Sequence, residues 1–355
     1  MKKRKKVLHL LPSNSFSGAE NVVCTIIEND SSYDMYYCCP KGPIEQILKE
    51  RNIKYIPIKK LTPKNLKKIC IDNDINVIHA HDFKASFVAG ITKLNNVKKI
   101  SHIHCNPDFI KKLTPYSILY SYITRYFYKI AVVSDEIIQE AIFKDMIKDK
   151  SLVIRNVVDK KRVIKKSKEF KTSKYDLIYV GRLIDVKQPE IIIEVTKQLV
   201  KKYPNFKACI IGTGNLESKC KELINNYGIE KNVDMLGFVA NPFPYISNSK
   251  VAMLPSLHEG LPMSVVECMI LNVPVLNSGV DGMKTLFQKH PKFICNDVND
   301  YVTKIEDILN GDDLLTNQCQ TVIEDYTNID NYIEKVNKLY EWVMVINIWK
   351  EFCML

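Results

Sequence analysis

Glu259-Gly-Leu-Pro-Met-Ser-Val-Val-Glu267 follows an apolar run that ends at Met253-Leu254-Pro255. The apolar run predicts a buried strand, the glycine allows a sharp turn, and the proline suits the first position of a helix. A helix that begins here exposes unpaired backbone N–H groups, and such an end attracts phosphate. The stretch therefore predicts the strand–turn–helix unit of an α/β fold, with an anion-binding turn at Gly260, Leu261, Pro262, Met263 and Ser264.

Short apolar runs alternate with longer amphipathic stretches on both sides of this segment. The predicted strands are 6–11, 34–39, 53–58, 76–80, 98–104, 129–134, 151–154, 175–180, 207–211, 232–236, 250–254, 273–276 and 292–295. The predicted helices are 18–30, 43–51, 63–73, 83–94, 115–128, 135–147, 187–202, 215–227, 242–247, 262–271, 297–309, 312–326 and 329–350. Strands that alternate with helices of this length indicate parallel, doubly wound sheets.

The length of 355 residues suggests two domains of ordinary size. The Lys- and Ser-rich stretch 160–174 predicts a linker. We therefore expect an N-terminal domain at 1–165, a second domain at 166–330, and a C-terminal helix at 331–355 that packs back on the first domain. The expected fold is α/β, with two doubly wound Rossmann-like domains facing a central cleft, where ligands of open α/β sheets bind.

The composition excludes several classes of protein. No run of 18 uncharged apolar residues occurs, so no membrane-spanning helix is predicted. The eleven cysteines are scattered without a Cys-x-x-Cys pair, which indicates free thiols in a reducing cytoplasm. Neither a metal-ligand spacing nor an Asp-x-Asp pair at a strand end is present, so no metal or cofactor is expected.

Charge is distributed unevenly along the chain. Residues 1–170 hold 32 Lys and Arg against 17 Asp and Glu, whereas the whole chain has a net charge of +11. The first half is therefore strongly basic and the second mildly acidic, which favours an anionic partner for the first half. Nucleic acid and an anionic membrane are both candidates, and a solvated Lys-rich surface explains the charge equally well.

The segment Glu259–Glu267 resembles the E-x7-E motif of retaining glycosyltransferases of family 4, which have the GT-B fold. Further along the chain, Val180-Gly181-Arg182-Leu183 with Lys187 resembles the family's G-R-L-x-x-x-K element. Ile211-Gly212-Thr213-Gly214 resembles its I-G-x-G turn. The resemblance implies that Gly181, Gly212 and Gly214 lie at the donor, that Glu267 binds the ribose, and that Glu259 lies near the sugar. Arg182 and Lys187 have the charges that a diphosphate requires.

The first half of the chain also contains segments that resemble motifs of this family. Phe16-Ser17-Gly18-Ala19-Glu20 resembles the glycine loop in which the family's chain approaches the donor phosphate, so Gly18 is predicted to bind donor. Val77-Ile78-His79-Ala80-His81 and Ile103-His104 resemble its two histidine-bearing strand ends. The resemblance implies a catalytic role for His104 beside the donor sugar, with His81 and His102 as weaker candidates.

One stretch departs from the family pattern. After Pro274-Val275-Leu276 the family has a turn that ends G-x-P-E, but here Lys284 and Thr285 occupy the proline and glutamate positions. The departure puts the base or ribose end of the donor pocket in doubt. It leaves the predicted diphosphate site, with Arg182, Lys187 and the helix start, unchanged.

The resemblance implies a retaining, metal-independent hexosyl or N-acetylhexosaminyl transferase for surface polysaccharide, with UDP favoured over GDP. The resemblance also implies that the domain at 1–165 is the acceptor-side domain and that the domain at 166–330 binds the nucleotide sugar. The acceptor would be a saccharide or a lipid-linked saccharide, and nucleic acid is then not a partner. The alternatives are a sugar-nucleotide-binding protein without transferase activity and a GT-B epimerase. The stretch from Lys111 to Tyr128 holds Tyr116, Tyr120, Tyr122, Tyr126 and Phe127 beside basic residues, so a peripheral contact with an anionic membrane is a further hypothesis.

Overall fold

A computed structural model describes residues 4–16, 18–104, 108–259 and 262–341. The chain divides into two compact units. The first unit comprises Met1–Arg155 together with Asp330–Leu355, and the second comprises Asn156–Ile329. The second unit therefore begins before the linker that the sequence predicts, and the last helix is assigned to the first unit.

The first unit contains a seven-stranded sheet in the order β3-β2-β1-β4-β5-β6-β7, and all its paired strands are parallel. The strands are β1 (Lys6–Leu10), β2 (Asp34–Cys39), β3 (Tyr55–Pro57), β4 (Val77–His81), β5 (Lys98–Ile103), β6 (Lys129–Val132) and β7 (Ser151–Val153). The helices are α1 (Gly18–Asn29), α2 (Ile44–Glu50), α3 (Pro63–Asp72), α4 (Asp82–Ile91), α5 (Asp108–Lys111), α6 (Pro115–Thr124), α7 (Asp135–Glu140) and α8 (Lys144–Ile147). The strand order reverses between β1 and β4, which is where ligands of such sheets bind.

The second unit contains a five-stranded parallel sheet in the order β10-β9-β8-β11-β12. Its strands are β8 (Tyr175–Val180), β9 (Ala208–Ile211), β10 (Val233–Gly237), β11 (Ser249–Leu254) and β12 (Val275–Asn277). Its helices are α9 (Lys160–Lys166), α10 (Pro189–Lys202), α11 (Glu217–Tyr227), α12 (Phe243–Ser247), α13 (Met263–Ile270), α14 (Asp281–Leu286), α15 (Val298–Leu309) and α16 (Leu314–Val322). The order reverses between β8 and β11. The last helix, α17 (Ile329–Tyr340), begins at the boundary and lies almost wholly in the first unit.

The predicted α/β class with doubly wound parallel sheets is confirmed. The central strands are buried along nearly their whole length, as expected when helices cover both faces of a parallel sheet. Buried Ile, Val and Leu dominate the core of each unit. The cysteines of the described part are free and buried.

Three local predictions are wrong. The stretch 160–174 is not a plain linker, because Asp159 caps α9 by accepting from the Arg162 N–H at 3.0 Å, and Val163 is buried. The predicted strand 292–295 is instead a short 3-10 turn (Pro291–Phe293) followed by a single bridge from Ile294 to Asn277. Pro291 occupies the first position of this turn, where its missing N–H leaves no hydrogen bond unmade.

The third error concerns the predicted helix 135–147, which is interrupted because Ala141 adopts an extended conformation between α7 and α8. The segment 279–285, for which the sequence predicts no helix, mostly forms helix α14. The predicted helix 329–350 is described only as far as Tyr340, so Trp342 and Trp349 lie outside the described residues.

Candidate active site

Glu259 is held in place by two side chains at the reversal point of the second unit's sheet. Lys187, in a 3-10 turn after β8, forms an ion pair with it, and both side chains are largely buried. Ser256, just after β11, donates its hydroxyl to the same carboxylate oxygen at 2.6 Å. The two predicted residues therefore come together, although 72 positions separate them in sequence.

The loop around Glu259 is also tied to the chain segment after β12. The Gly282 N–H, in the first turn of α14, donates to the Glu259 carbonyl at 3.1 Å, and the Ser278 hydroxyl donates to the Ser256 carbonyl. The segment in which the sequence departs from the family pattern that it resembles thus supports the backbone of the candidate site. The prediction that it shapes the base or ribose end of a donor pocket stays a prediction.

Helix α13 begins at Met263, with the extended Pro262 as its N-cap, so the proline lies one position before the helix. The first-turn amides of Met263 and Ser264 have no intrahelical carbonyl to bond to, because of the geometry of a helix start. Their position after β11 matches the predicted anion-binding turn. Gly260 and Leu261, which belong to the same prediction, lie outside the described residues.

Glu267 lies one turn further along α13 and is partly buried. Burial raises the pKa of its carboxyl to about 7, against the lowering effect of the positive charge on Arg162. Arg162 belongs to α9, which packs against α13. The sequence did not identify Arg162 as a neighbour of the site, because a Lys- and Arg-rich stretch resembles an exposed linker.

The glycine turns after β8 and β9 touch each other. A Cβ on Gly212 would lie 1.8 Å from the Gly181 carbonyl oxygen, and one on Gly214 would lie 2.0 Å from the Leu183 carbonyl oxygen. The Leu183 N–H also donates to the Thr213 carbonyl at 2.9 Å. This close packing alone requires glycine at 212 and 214, so their predicted contact with a donor is not needed to explain them.

Arg182 stands at the exposed edge of this turn. Its side chain is exposed, and its backbone carbonyl accepts the Tyr179 hydroxyl at 2.8 Å. Tyr179 itself is fully buried, and burial, together with the negative charge of Glu259, raises its pKa. The guanidinium is therefore positioned by a rigid backbone and remains available to an anion.

In the first unit, five histidines lie at the carboxyl ends of β1, β4 and β5. Four of them are fully buried, namely His9, His79, His81 and His102, whereas His104 is partly exposed just after β5. Burial lowers the pKa of His9 to about 3 and keeps the pKa values of the other buried rings well below the ordinary range. These four rings are therefore neutral at pH 7.

The histidine rings bond to one another. The His81 Nδ1 lies 2.8 Å from the His104 Nε2, and the His81 Nε2 lies 3.0 Å from the His9 Nδ1. A second pair joins the His79 Nε2 to the His102 Nδ1 at 3.2 Å. Within the described residues these rings also form the groups with metal-ligand spacing, His9-His79-His81 and His81-His102-His104. The sequence marked three of the five but gave His9 no role.

Asp82 and Gly18 follow β4 and β1 of the same sheet. Asp82 adopts a left-handed conformation, with φ of 62°, and its carboxylate accepts the His104 backbone N–H at 3.2 Å. Backbone strain of this kind is found where function fixes a conformation. Gly18 begins helix α1 on the loop that follows β1, and it is exposed there. Its predicted role at a donor phosphate stays a prediction.

Comparison with known proteins identifies the family. Residues 160–336 match the family described as "Glycosyl transferases group 1". An uncharacterized glycosyltransferase of Methanocaldococcus jannaschii is 33% identical over 227 residues, which are 58% of this chain and 55% of that relative. The capsular polysaccharide biosynthesis glycosyltransferase CapH of Staphylococcus aureus is 26% identical over 296 residues, which are 78% of this chain and 81% of CapH. The chain thus spans about half the length of the first relative.

Solved structures agree on the fold. HepE of Anabaena, crystallised with UDP, superposes with a TM-score of 0.77 at 16% identity, and the alignment covers 94% of this chain and 99% of HepE. At that identity the likeness establishes the fold and nothing more. The match over residues 160–336 places this chain among the group 1 glycosyltransferases, and the superposition agrees with their GT-B fold.

Proposed function

We propose that the chain transfers a sugar from a nucleoside diphosphate sugar, with UDP favoured over GDP, to a saccharide or lipid-linked saccharide acceptor. The observation that carries this proposal is the buried pair of Lys187 and Glu259 at the reversal point of the second sheet. The function of CapH in capsular polysaccharide biosynthesis and the UDP bound by HepE support the same class of reaction.

The chemistry follows from where charge develops. When the bond between the sugar and the diphosphate breaks, the leaving group gains negative charge. Arg182, Lys187 and the first-turn amides of α13 would stabilise that charge, and no metal is then required. A diphosphate that attracts Lys187 would also free the Glu259 carboxylate to accept hydrogen bonds from sugar hydroxyls.

We further propose that the reaction retains the anomeric configuration and transfers a hexosyl or N-acetylhexosaminyl group. Attack would occur from the face that the diphosphate leaves, and a phosphate oxygen would accept the proton of the acceptor hydroxyl. The resemblance assigns His104 to the donor sugar and Glu267 to the ribose. These finer roles rest on the motif matches and on the positions of the residues within each unit.

The test begins with a thermal-shift panel of sugar nucleotides, because a ligand that binds the folded state raises the melting temperature. With the donor that binds, Lys187→Ala and Glu259→Ala are each expected to lower turnover about 100-fold or more, as is typical when a transition-state electrostatic contact is lost. Lys219→Ala is the matched control, because Lys219 also pairs with a glutamate, Glu190, at 2.9 Å but on the surface of the same unit. Full turnover in either site variant refutes the assignment.

Two alternatives give different results in the same assay. A sugar-nucleotide-binding protein without activity would show the thermal shift but release no free nucleotide. An epimerase would change the sugar without an acceptor. Release of nucleotide that depends on an added saccharide acceptor therefore distinguishes the transferase from both.

We also propose that an apolar surface of the first unit contacts an anionic membrane. None of the helices among the described residues is long and apolar enough to span a bilayer. Large apolar side chains are nevertheless exposed on α6, just before and after it, and on the chain around α7 and α8: Leu113, Tyr116, Ile118, Leu119, Tyr122, Tyr126, Ile142 and Met146. Tyr120 and Phe127, which the sequence suggested for this surface, are buried in the core.

The membrane hypothesis has a matched control within the chain. Ile118 on α6 is 55% exposed and Ile71 on α3 is 60% exposed, so both are exposed helical isoleucines. Ile118→Ser is expected to weaken sedimentation with phosphatidylglycerol vesicles at low salt, whereas Ile71→Ser is not. Equal binding by the two variants, or dimerisation that Ile118→Ser abolishes without vesicles, contradicts membrane contact.

A further inference from the structure

A buried tyrosine reaches the loop that carries Arg182. Tyr179 lies near the end of β8, and its side chain is fully buried. Its hydroxyl donates to the Arg182 backbone carbonyl at 2.8 Å, three positions further along the chain. Among the described residues no other group donates to this carbonyl. The peptide group that follows Arg182 is therefore held by a single side-chain hydroxyl.

The neighbouring polar groups of the same loop are held by backbone instead. The Gly181 N–H donates to the Ile211 carbonyl at 3.0 Å. The Leu183 N–H donates to the Thr213 carbonyl at 2.9 Å. Both acceptors lie at the end of β9 or just after it. Together with the tyrosine hydroxyl, these bonds fix the backbone on both sides of Arg182.

The glycine at position 181 makes room for the tyrosine hydroxyl. A Cβ at this position would lie 2.7 Å from the Tyr179 hydroxyl oxygen and 2.9 Å from the ring carbon that bears it. Both distances are well inside van der Waals contact, so a side chain here would push the hydroxyl away from its acceptor. Gly181 therefore has a reason to be glycine that does not depend on contact with a donor.

The side chain of Arg182 depends on its backbone for its direction. It is exposed, and its guanidinium has no hydrogen-bond partner among the described residues. A tilt of about 10° at the Cα moves a guanidinium about 6 Å away by about 1 Å, and a displacement of that size can lower a rate about 100-fold. The bond from Tyr179 restrains such a tilt.

We propose that Tyr179 is a positioning residue, whose hydroxyl fixes the backbone of Arg182 and thereby directs the guanidinium to the diphosphate of the donor. This inference rests on the proposed function, in which Arg182 stabilises the leaving group. Burial, and next the negative charge of Glu259, raise the pKa of Tyr179, whereas the charge of Arg182 lowers it. The hydroxyl therefore keeps its proton at neutral pH and donates it to the carbonyl.

A purely structural role for this bond is the alternative, and β8 offers a matched control. The Tyr175 hydroxyl, at the start of the strand, donates to the Asp234 carboxylate at 2.9 Å, and Tyr175 is also buried. Tyr175→Phe and Tyr179→Phe each remove one bonded hydroxyl and keep the ring. Both should lower the melting temperature by about 2–4 °C, whereas only Tyr179→Phe should affect the reaction.

A double-mutant cycle between Tyr179 and Arg182 tests the role in the reaction. The donors are UDP-glucose, UDP-N-acetylglucosamine and GDP-mannose, and release of UDP or GDP in the presence of a saccharide acceptor gives kcat/KM. Tyr179→Phe should lower kcat/KM about tenfold and Arg182→Ala about 100-fold. The double variant should lose no more than Arg182→Ala alone, because the hydroxyl acts through the guanidinium.

Two results of this cycle would overturn the inference. One is a double variant whose kcat/KM falls about 1000-fold, the product of the two single losses. The other is a kcat/KM of Tyr179→Phe that equals that of Tyr175→Phe, since a structural hydroxyl changes the stability of the enzyme but not the turnover of its folded form.

Hydrogen exchange without substrate tests the bond itself and separates this inference from the proposed function. Peptides that cover residues 181–187 should exchange faster in Tyr179→Phe than in Tyr175→Phe, and equal exchange refutes the inference. A wild-type chain that turns over none of the three donors refutes the proposed function, and the same double-mutant cycle on the dissociation constants of UDP and GDP then decides the role of Tyr179. Absence of both turnover and nucleotide binding refutes both.

Discussion

Mild acid is expected to destabilise the first unit while it stabilises the second. Four fully buried histidines in the first unit have pKa values lowered far below the ordinary 6.5, with His9 at about 3. Below pH 6.5 the unfolded chain binds protons that the folded unit cannot bind, so stability is present above this pH and is lost as the pH falls. Each group contributes a slope of about 1.4 kcal/mol per pH unit at most.

The stability that Glu267 gives the second unit has the opposite dependence on pH. Its folded pKa of about 7 lies above the ordinary value of 4.5, so the folded state binds the extra proton between these values. Stability from this group therefore increases as the pH falls from 7 towards 4.5. The four histidines together should remove about 4 kcal/mol from the first unit between pH 6.5 and 5.5, a large part of the ordinary stability of a domain.

Hydrogen exchange followed by mass spectrometry measures the two units separately. After correction for the intrinsic exchange rate, peptides that cover β4 should lose protection between pH 7.5 and 5.5, and peptides that cover α13 should not. His102→Leu removes one of four equal proton uptakes by the unfolded chain, so it should reduce the free-energy loss of the first unit by about one quarter. His258→Gln, which changes an exposed histidine of the second unit, is the control substitution. Equal changes in both sets of peptides would refute the reasoning.

Two further substitutions probe the second unit. Gly212→Ala should lower the free energy of unfolding by about 3 kcal/mol or more, because its φ is 140° and the new Cβ would collide with the Gly181 carbonyl. Gly228→Ala is the control and should cost about 1 kcal/mol, because Gly228 has a φ of 64° but open space around it. Similar losses for the two variants in urea unfolding would contradict the packing argument. Ser256→Ala should lower kcat about tenfold through the loss of one hydrogen bond to Glu259, with the melting temperature as a check on folding; an unchanged kcat would show that Ser256 does not position the carboxylate.

The sheets were largely predictable from the sequence, because each strand has a strong local signal. Buried parallel strands are continuous apolar runs, as at 177–180, and amphipathic helices separate them. Helix α9 was missed since its only fully buried residue, Val163, stands among lysines and arginines. The amphipathic signal of seven residues is too short to distinguish such a helix from a linker.

The positions of site residues were more predictable than their partners. Motif spacing indicated Lys187 and Glu259, but their ion pair depends on β8 and β11 being neighbours in the sheet. The chain from His9 to His104 depends in the same way on β1, β4 and β5 being adjacent. A single histidine in an apolar strand has no local feature that marks it as part of such a chain.

The two sheet-reversal points differ in charge, and under the proposed function this difference favours one of them for the diphosphate. In the first unit burial keeps the pKa values of the histidines well below the ordinary range, so these rings add no positive charge at pH 7. In the second unit Lys187 forms an ion pair with Glu259, and the Arg182 side chain is exposed. An anion with two negative charges gains from two cations and from the first turn of α13, but gains little from neutral rings. The mildly acidic half of the chain is therefore the half expected to hold the diphosphate, and the neutral histidines suit the uncharged oxygens of a sugar.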